Sequence, residues 1–242
     1  MDGMNILADP NFSRHIFYII RRRSKIPKTI RSLPPIDLIL ISHAHYDHLD
    51  LPTLRKLPRA TPIVVPPGVQ AVVKWARMKR IITLQQWETH HIGKVTVTAV
   101  PAKHFPGRPP LYPLTGYQGY VIEGSATVYF AGDTGYFDGM AEIGESWDID
   151  VALLPIGAYQ PPPFRRHHMS PEDAVEAGRM LKAKAIVPIH WGTFKLSLEP
   201  FDEPTRRLEQ AAREANLLPK IRILLPGQAV SVTESGSIER VK

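Results

Sequence analysis

The chain has 242 residues, of which 43% are hydrophobic and 22% are charged, an ordinary composition for a globular protein. It contains no cysteine, which excludes disulfides and cysteine-held metal sites, so any metal must be bound by His, Asp or Glu. No apolar run reaches the ~20 residues that a membrane-spanning helix needs, and the first residues lack the pattern of a signal peptide. We therefore expect a cytoplasmic protein.

Much of the net charge of +7 lies near the start of the chain, where the basic run of residues 21–32 follows the apolar sequence HIFYII. A solvated basic loop is one interpretation of residues 15–32. A peripheral contact with membrane phosphate headgroups, or with nucleic acid, is the other. No aromatic residues interleave with the basic run, so we expect no nucleic-acid partner.

Short runs rich in Val and Ile, bounded by Pro, Gly and Asp, predict β-strands along the chain. Helical patterns lie between them. One opens on Ser170 as N-cap, with Pro171 in the first turn and Asp173 three residues after the cap, the spacing of a capping box. This alternation favours an α/β protein, and no linker or repeat divides the chain, so we predict one domain over residues 1–242. The predicted strands cover residues 36–42, 61–65, 94–100, 119–124, 127–132, 151–157, 185–190 and 221–225, and the predicted helices cover 66–79, 170–183 and 203–217.

The first predicted strand leads directly into SHAHYDHLD, residues 42–50, at the strand end where α/β folds commonly place ligand sites. His43 and His45, two residues apart, can point to one side of an extended segment. Asp47 and His48 follow a turn and can face a neighbouring position. Three imidazoles and a carboxylate suit zinc, and two adjacent sites use them better than one because a catalytic zinc keeps an open position.

A two-metal site needs further ligands, and three more candidates follow other predicted strands: His104, Asp133 and His190. This recurrence at separate strand ends supports a metal centre more strongly than any single residue does. The candidates divide naturally into two sets that share one carboxylate. The first set is His43, His45 and His104, the second is Asp47, His48 and His190, and Asp133 bridges them.

The motif H-x-H-x-D-H, followed downstream by a His, an Asp in GDT and a final His, resembles the metallo-β-lactamase superfamily over nearly the whole chain. The resemblance implies a four-layer αβ/βα sandwich with the metals at one edge of the two sheets. It also implies a hydroxide held between two metals that attacks an ester, amide or phosphodiester. His-rich ligation favours two zinc ions, with manganese or iron as alternatives.

A closer resemblance is to the N-acyl-phosphatidylethanolamine-hydrolysing phospholipase D branch, carried by SHAHYDHLD, PAKHF, GDTGYF, LPIGAYQP, HHMSPEDAVEA and HWGTFKL. That branch consists of zinc phosphodiesterases, so it implies hydrolysis of a phospholipid-like diester. Relatives carry a strand before the segment that begins here at Met1, so we expect the first N-terminal strand to be lacking. The proline-rich loop 104–120, where Tyr117 replaces a frequent Trp, leaves the acyl-chain specificity open.

Three side chains are assigned roles in catalysis or substrate binding. Asp47 is predicted to orient the nucleophile and take part in its proton transfer as well as to bind metal. By resemblance, His168 contacts the substrate phosphate or donates a proton; it lies just before a helix N-terminus, which favours anions, and packing at the helix entry is the alternative. Tyr159 is predicted to line the pocket, with ordinary packing as an equal alternative. Trp191 and Phe194 are expected in the core.

Two other activities stay open. A zinc-dependent lactonase or carboxylic ester hydrolase would have the same site and differ in the shape of its pocket. A nuclease is permitted by the basic charge, but no appended nucleic-acid domain is visible, and steep salt dependence of binding would be its sign. The expected partner is therefore a small-molecule or lipid phosphodiester, and the oligomeric state is not readable.

Overall fold

A computed structural model describes residues 1–108, 114–233 and 238–241 of the chain. The proline-rich loop predicted near the substrate lies partly outside these residues, at positions 109–113. The strands, in chain order, are β1 (Ile6–Ala8), β2 (His15–Ile16), β3 (Ile20–Arg21), β4 (Leu38–Leu40), β5 (Ile63–Val65), β6 (Ile81–Thr83), β7 (Thr89–Ile92), β8 (Val95–Val100), β9 (Gly119–Glu123), β10 (Thr127–Phe130), β11 (Val151–Pro155), β12 (Ala185–Ile189), β13 (Val230–Val232) and β14 (Ile238–Arg240).

Two stacked sheets form the centre of the molecule. The first has the order β1-β4-β5-β6 and is parallel throughout. The second has the order β12-β11-β10-β9-β8-β7, parallel among its first three strands and antiparallel beyond them. The α-helices are α1 (Leu51–Leu54), α2 (Val69–Val73), α3 (Gly139–Ser146), α4 (Pro171–Met180) and α5 (Glu203–Glu214).

Alternation of side chains along the strands separates three buried cores. In β4, Ile39 packs with the residues of α1 and α2, whereas Leu38 and Leu40 face the second sheet. In β9, Tyr120 faces the first sheet, whereas Val121 packs with the residues of α3, α4 and α5. Both sheets are therefore covered on both faces, which explains the uninterrupted apolar strands. The layers run helix, sheet, sheet, helix and confirm the predicted αβ/βα sandwich.

Helix ends follow the local sequence. Ser170 caps α4, and its side chain and that of Asp173 form the reciprocal capping box that the sequence predicted. The helix predicted over residues 66–79 is shorter than expected, because it starts only after Gly68, whose φ is +83°. Within the described residues, no helix is both long and apolar enough to cross a lipid bilayer.

The segment 221–225 does not form the predicted strand. Ile221 makes one isolated parallel bridge with Ile186, and the ladder stops there. The Arg222 side chain instead donates to the carbonyls of Pro219 and Ile221. A turn follows at once, in which the Leu225 N–H donates to the side chain of Gln228. Side-chain and turn bonds thus replace the ladder that five apolar-rich residues suggested.

Two other differences lie at sheet edges. His90 and His91, which lie outside every predicted strand, belong to β7, where His91 Nδ1 lies 3.0 Å from Thr96 Oγ1 across the antiparallel pair. No strand of the first sheet was predicted at residues 6–8. There β1 forms its edge, parallel to β4, and places Asp9 at the carboxyl end of the sheet.

Candidate metal centre

The carboxyl ends of strands from both sheets meet at one edge of the sandwich. Because β4, β8, β10 and β12 all end there, the residues that follow them converge although they are far apart in sequence. The structure brings together all seven predicted ligands. They form two groups whose ligand atoms lie within 4.8 Å of one another: His43, His45 and His104, the imidazole group, and Asp47, His48, Asp133 and His190, the carboxylate group.

In the imidazole group, backbone and hydroxyl partners orient the rings. His104 Nδ1 donates to the carbonyl of His167 at 2.9 Å, which leaves Nε2 as the unprotonated nitrogen, 3.1 Å from His45 Nδ1. His43 Nδ1 lies 2.9 Å from the hydroxyl of Ser42, so its Nε2 faces the centre. Such outer partners fix ring tautomers in metal sites.

In the carboxylate group, two acidic side chains face two imidazoles. Asp133 Oδ2 lies 3.2 Å from Nε2 of both His48 and His190. Asp47 Oδ2 lies 3.3 Å and 3.2 Å from the same two nitrogens. Asp133 Oδ2 is also 3.9 Å from Nε2 of His43, so this carboxylate lies between the two groups, where a bridging ligand was predicted.

The donor atoms at this centre fit a metal ion. His43 Nε2 and Asp133 Oδ1 are buried and make no hydrogen bond, although an unsatisfied buried polar atom costs about 1–3 kcal/mol. Tetrahedral zinc with Zn–N bonds of about 2.0–2.1 Å separates its ligand atoms by roughly 3.3 Å. The observed separations of 3.1 to 3.3 Å match that spacing. Imidazole and carboxylate together suit zinc, manganese and iron.

Burial makes the imidazole group neutral. It lowers the pKa of His45 to about 4 and that of His104 to about 3, and it lowers the pKa of His43 well below its usual value. The neutral imidazole is the form that binds metals. These rings are therefore ready to coordinate at neutral pH.

In the carboxylate group, nearby charges outweigh the effect of burial on the pKa values. Burial opposes the charge on His48, but the carboxylates of Asp133 and Asp47 outweigh it and raise the pKa of His48 well above its usual value. Burial likewise opposes ionisation of Asp133, but His190 and His48 hold its pKa well below the usual range. Without a metal, protonated imidazoles neutralise the two carboxylates; a bound cation would take their place.

Asp9 orients His48 from behind and was missed in the sequence. Its Oδ2 lies 2.7 Å from His48 Nδ1, and its Oδ1 accepts a 2.7 Å hydrogen bond from the Ser42 N–H. A carboxylate in this place fixes the ring and raises the basicity of its other nitrogen. Asp9 follows β1 as His43 follows β4, but β1 is too short to be recognised as a strand in the sequence.

Gly132 lets the two sheets approach each other beside the metal centre. Its φ is +61°, and a Cβ at this position would lie 2.4 Å from Cβ of Ser42. Ser42 in turn bonds Asp9 and His43. Any larger residue before Asp133 would therefore displace partners of both ligand groups.

A cavity of about 290 Å³ opens beside the carboxylate group. Trp191 and Phe194, expected in the core, both line it; Trp191 also packs against the core beneath α4, whereas the prediction was wrong for Phe194. Arg22 is the only Lys or Arg among its described lining residues. Its guanidinium donates to the carbonyls of Ser13 at 2.9 Å and Asn11 at 2.7 Å and lies 4.6 Å from the Phe194 ring.

His168 lies at the metal centre, next to both ligand groups. Its Nδ1 is 3.7 Å from Asp133 Oδ2 and makes no hydrogen bond, and burial lowers its pKa to about 4. The residue precedes α4, and its N–H bonds the carbonyl of Phe164. One nitrogen of His168 also lies within 4.8 Å of ligand atoms of His104 and Asp133, so the residue is placed equally well for a substrate or a metal.

Tyr159 is not part of the cavity wall that was predicted for it. The side chain is 0% exposed, and the residue does not belong to the described lining of the cavity. Its hydroxyl donates to Glu203 at 2.8 Å, and the Arg207 guanidinium lies 4.9 Å from its ring. These contacts tie the loop after β11 to α5, so the packing alternative describes Tyr159.

Comparison with known proteins gives the family. Residues 4–191 match the beta-lactamase superfamily domain. An uncharacterised protein of Mycobacterium tuberculosis is 36% identical, over 96% of this chain and 65% of its own length. The mitochondrial N-acyl-phosphatidylethanolamine-hydrolysing phospholipase D of Saccharomyces cerevisiae is 33% identical, over 87% of this chain and 48% of its own length. The chain thus spans less than two thirds of the length of these two relatives.

Other matches extend over most of both chains. A UPF0173 metal-dependent hydrolase of Rubrobacter xylanophilus is 32% identical, over 93% of this chain and 88% of its own length. The structure of a metallo hydrolase from Ignicoccus hospitalis superposes with a TM-score of 0.71 at 24% identity, over 94% of this chain and 90% of the other, which shows the shared fold. The chain therefore belongs to the beta-lactamase superfamily.

Proposed function

We propose that the protein is a dinuclear metal-dependent phosphodiesterase that cleaves a phospholipid-like substrate. The observation that carries this proposal is the shared position of Asp133 between two ligand groups, next to a cavity that also contains Arg22. A guanidinium there complements the anionic phosphate of a diester. The names of the yeast relative and of a Caenorhabditis elegans relative at 30% identity, both N-acyl-phosphatidylethanolamine-hydrolysing phospholipases D, support the lipid substrate.

The two ligand groups would each hold one ion. Bound there, zinc would supply an activated water and offset negative charge on the phosphoryl group. Asp47 is ionised and lies on the cavity wall, so it is placed to orient that water and accept its proton. Its Oδ2 is held by His48 and His190, which leaves the direction of the carboxylate fixed.

His168 is better suited to binding than to acid catalysis. With a pKa of about 4 the imidazole is neutral at pH 7 and has one N–H to donate. A neutral ring can donate a hydrogen bond to a phosphoryl oxygen, whereas the protonated form needed for rapid proton donation is scarce. We therefore assign it a substrate-binding role.

The shape of the cavity suits only the polar part of a phospholipid. Its volume of about 290 Å³ is at the low end for small-molecule sites. Two acyl chains do not fit in this volume, so they would stay outside while the phosphodiester enters. The apolar walls, formed by Phe130, Ile189, Trp191, Phe194 and Leu196, suit the carbon groups next to the phosphate.

Product analysis by mass spectrometry tests the proposal. Zinc-loaded and manganese-loaded protein are given an N-acyl-phosphatidylethanolamine, a bis-aryl phosphodiester, and a lactone and aryl ester. We expect phosphatidic acid and N-acylethanolamine from the lipid. Cleavage of the bis-aryl diester alone would remove the lipid assignment, and cleavage of only the lactone or ester would overturn the phosphodiesterase proposal in favour of an ester hydrolase.

A variant of His168 tests the role assigned to this residue. His168→Gln should lower phosphodiester turnover about 10–100-fold, the size expected for one positioning hydrogen bond to a charged group. Metal content should stay at the wild-type value. Elemental mass spectrometry measures the metal content per protein. A lower metal content in the variant would show that His168 is a ligand and that the substrate-binding role is wrong.

A further inference from the structure

The excess of positive over negative residues in the chain comes from one segment. Residues 10–36 contain seven Lys and Arg residues and no Asp or Glu. Outside this segment the chain has 23 basic and 23 acidic residues, so the rest is balanced. The whole net charge of +7 therefore belongs to about one ninth of the sequence, which gives the molecule one positive side rather than a diffuse basic character.

The segment forms a hairpin with an apolar tip. β2 and β3 pair antiparallel and leave a three-residue turn whose side chains are exposed: Phe17 50%, Tyr18 98% and Ile19 82%. Phe17 and Tyr18 have φ values of +50° and +64°, a conformation that hairpin turns normally give to Gly or Asn. The large apolar side chains at the tip are therefore neither favoured by the turn geometry nor buried in the core.

Six exposed Lys and Arg side chains lie beside this hairpin and in the residues that follow it. None of them makes an ion pair with another described residue, and residues 10–36 contain no acidic side chain that could pair with them. Several of them line an open groove of about 1210 Å³ beside the hairpin. The six are Arg14, Arg21, Arg23, Lys25, Lys28 and Arg31.

This surface adjoins the cavity of the metal centre. Arg22, the seventh cation, lines both the cavity and the basic groove. The Arg23 N–H donates at 2.7 Å to the carbonyl of Thr193, which also lines the cavity. The ring of Phe17 lies 3.9 Å from that of Tyr46, within the H-x-H-x-D-H motif. Whatever binds the hairpin is thereby held next to the opening of the catalytic cavity.

We propose that residues 14–31, the basic hairpin, form a docking surface for an anionic lipid bilayer. Tyr18 and Ile19 enter the interface between headgroups and acyl chains, and the surrounding cations contact lipid phosphates. The inference deepens the proposed function and rests on it for the identity of the substrate. The bilayer is favoured over nucleic acid because the tip also exposes Ile19, which cannot stack on a base, and because no aromatic residue lies among the cations of residues 21–32.

Vesicle co-sedimentation tests the surface without any catalytic step. The full chain is mixed with vesicles of phosphatidylcholine alone, or containing about one third phosphatidylglycerol, at low and at high potassium chloride. We expect binding to the anionic vesicles that salt weakens. Arg21→Glu with Lys25→Glu should lower the affinity about 25-fold or more, because each cation near an anionic surface contributes roughly fivefold.

Matched controls separate this surface from general charge and apolarity. Arg206→Glu with Arg213→Glu in α5 makes the same change of charge on an exposed helix face and should leave binding within about twofold of wild type. Tyr18→Ser with Ile19→Ser should weaken binding to anionic vesicles at least about tenfold, whereas Trp75→Ser, another exposed aromatic change, should not.

The outcomes keep this inference distinct from the proposed activity. All the hairpin variants should hydrolyse a water-soluble diester, or any soluble substrate found for the wild type, at the wild-type rate. Failure of the wild type to bind anionic vesicles would overturn the docking surface whatever its activity. Equal binding by the tip variant, or tighter binding to a duplex oligonucleotide than to anionic vesicles at the same salt, would overturn it as well.

Discussion

The two ligand groups occupy one sheet edge but differ in charge. Burial lowers the pKa values of the three imidazoles in the imidazole group, whereas in the carboxylate group two acids with lowered pKa values raise the pKa values of His48 and His190. A cation entering the first group displaces no protons at neutral pH. A cation entering the second displaces protons from the imidazoles. The two groups should therefore bind cations with different pH dependence.

The largest expected effect follows from removing the residue that both groups share. Asp133→Ala should lower turnover on the order of 10³-fold, because two ions held together contribute several kcal/mol to transition-state stabilisation. The carboxylate group should lose its metal, while the imidazole group keeps three ligands. Activity assays and ion mass spectrometry check both points.

Asp138→Ala provides the control for this change. Asp138 lies in the same segment, at the start of α3, and its side chain makes no capping hydrogen bond. Its variant should retain wild-type turnover. Near-normal turnover in Asp133→Ala would exclude a shared-carboxylate mechanism and leave two independent sites or one.

A smaller effect should distinguish the groups through Asp9. Asp9→Asn keeps the shape of the side chain but removes the charge behind His48, so metal affinity at the carboxylate group should fall about 10–100-fold. Affinity at the imidazole group should fall less, because Asp9 reaches His43 only through the Ser42 hydroxyl. Titration against a competing chelator measures the two affinities separately.

Asp37→Asn is the matched control, since Asp37 accepts from the Asn5 N–H at the opposite end of β1 and has no contact with the ligands. Equal weakening of both metals in Asp9→Asn would show that Asp9 supports the whole sheet edge rather than His48.

The smallest expected effect is a change in the stability of the metal-free protein with pH. The pKa values of His45, His104 and His168 are lowered to about 4, 3 and 4, so between pH ~6.5 and these values the unfolded chain binds protons that the folded chain does not. Stability should therefore fall as the pH drops below ~6.5. The raised pKa of His48 works in the other direction, because its contribution is lost as the pH rises through that value.

Thermal unfolding with a chelator, followed by circular dichroism, measures this dependence. Acidification from neutral pH to pH ~4.5 should lower the Tm by several degrees, since 1 kcal/mol corresponds to about 2–4 °C in a protein of this size. His45→Gln should flatten the acid side of the profile, whereas His48→Gln should flatten only the alkaline side. A Tm that stays constant or rises on acidification would contradict the neutral state of the imidazole group.

The ligand positions were predictable because each follows an apolar strand. His43, Asp133 and His190 come one to three residues after β4, β10 and β12, and the carboxyl ends of neighbouring parallel strands lie at one edge. Periodicity and the capping box likewise predicted α4. These features depend on local sequence and on general rules of sheet topology.

The missed residues depend on contacts that local sequence does not encode. β1 has only three half-buried residues, too short a pattern to mark Asp9 as a strand-end acid. Arg22 turns inward because the carbonyls of Asn11 and Ser13 accept from it, a geometry that exists only in the folded chain. Tyr159 finds Glu203 across the fold, and its aromatic character alone could not separate core from cavity.

The close approach of Gly132 to Ser42 has a consequence for how new specificities arise. Residue 132 has no room for a side chain and supports both ligand groups at once, whereas residues 191, 193, 194 and 196 contribute cavity wall from a single loop. Evolution can therefore explore substrates in that loop without disturbing the catalytic machinery. In a library randomised at all five positions and selected for activity, the loop should diversify while Gly132 is recovered in every surviving clone.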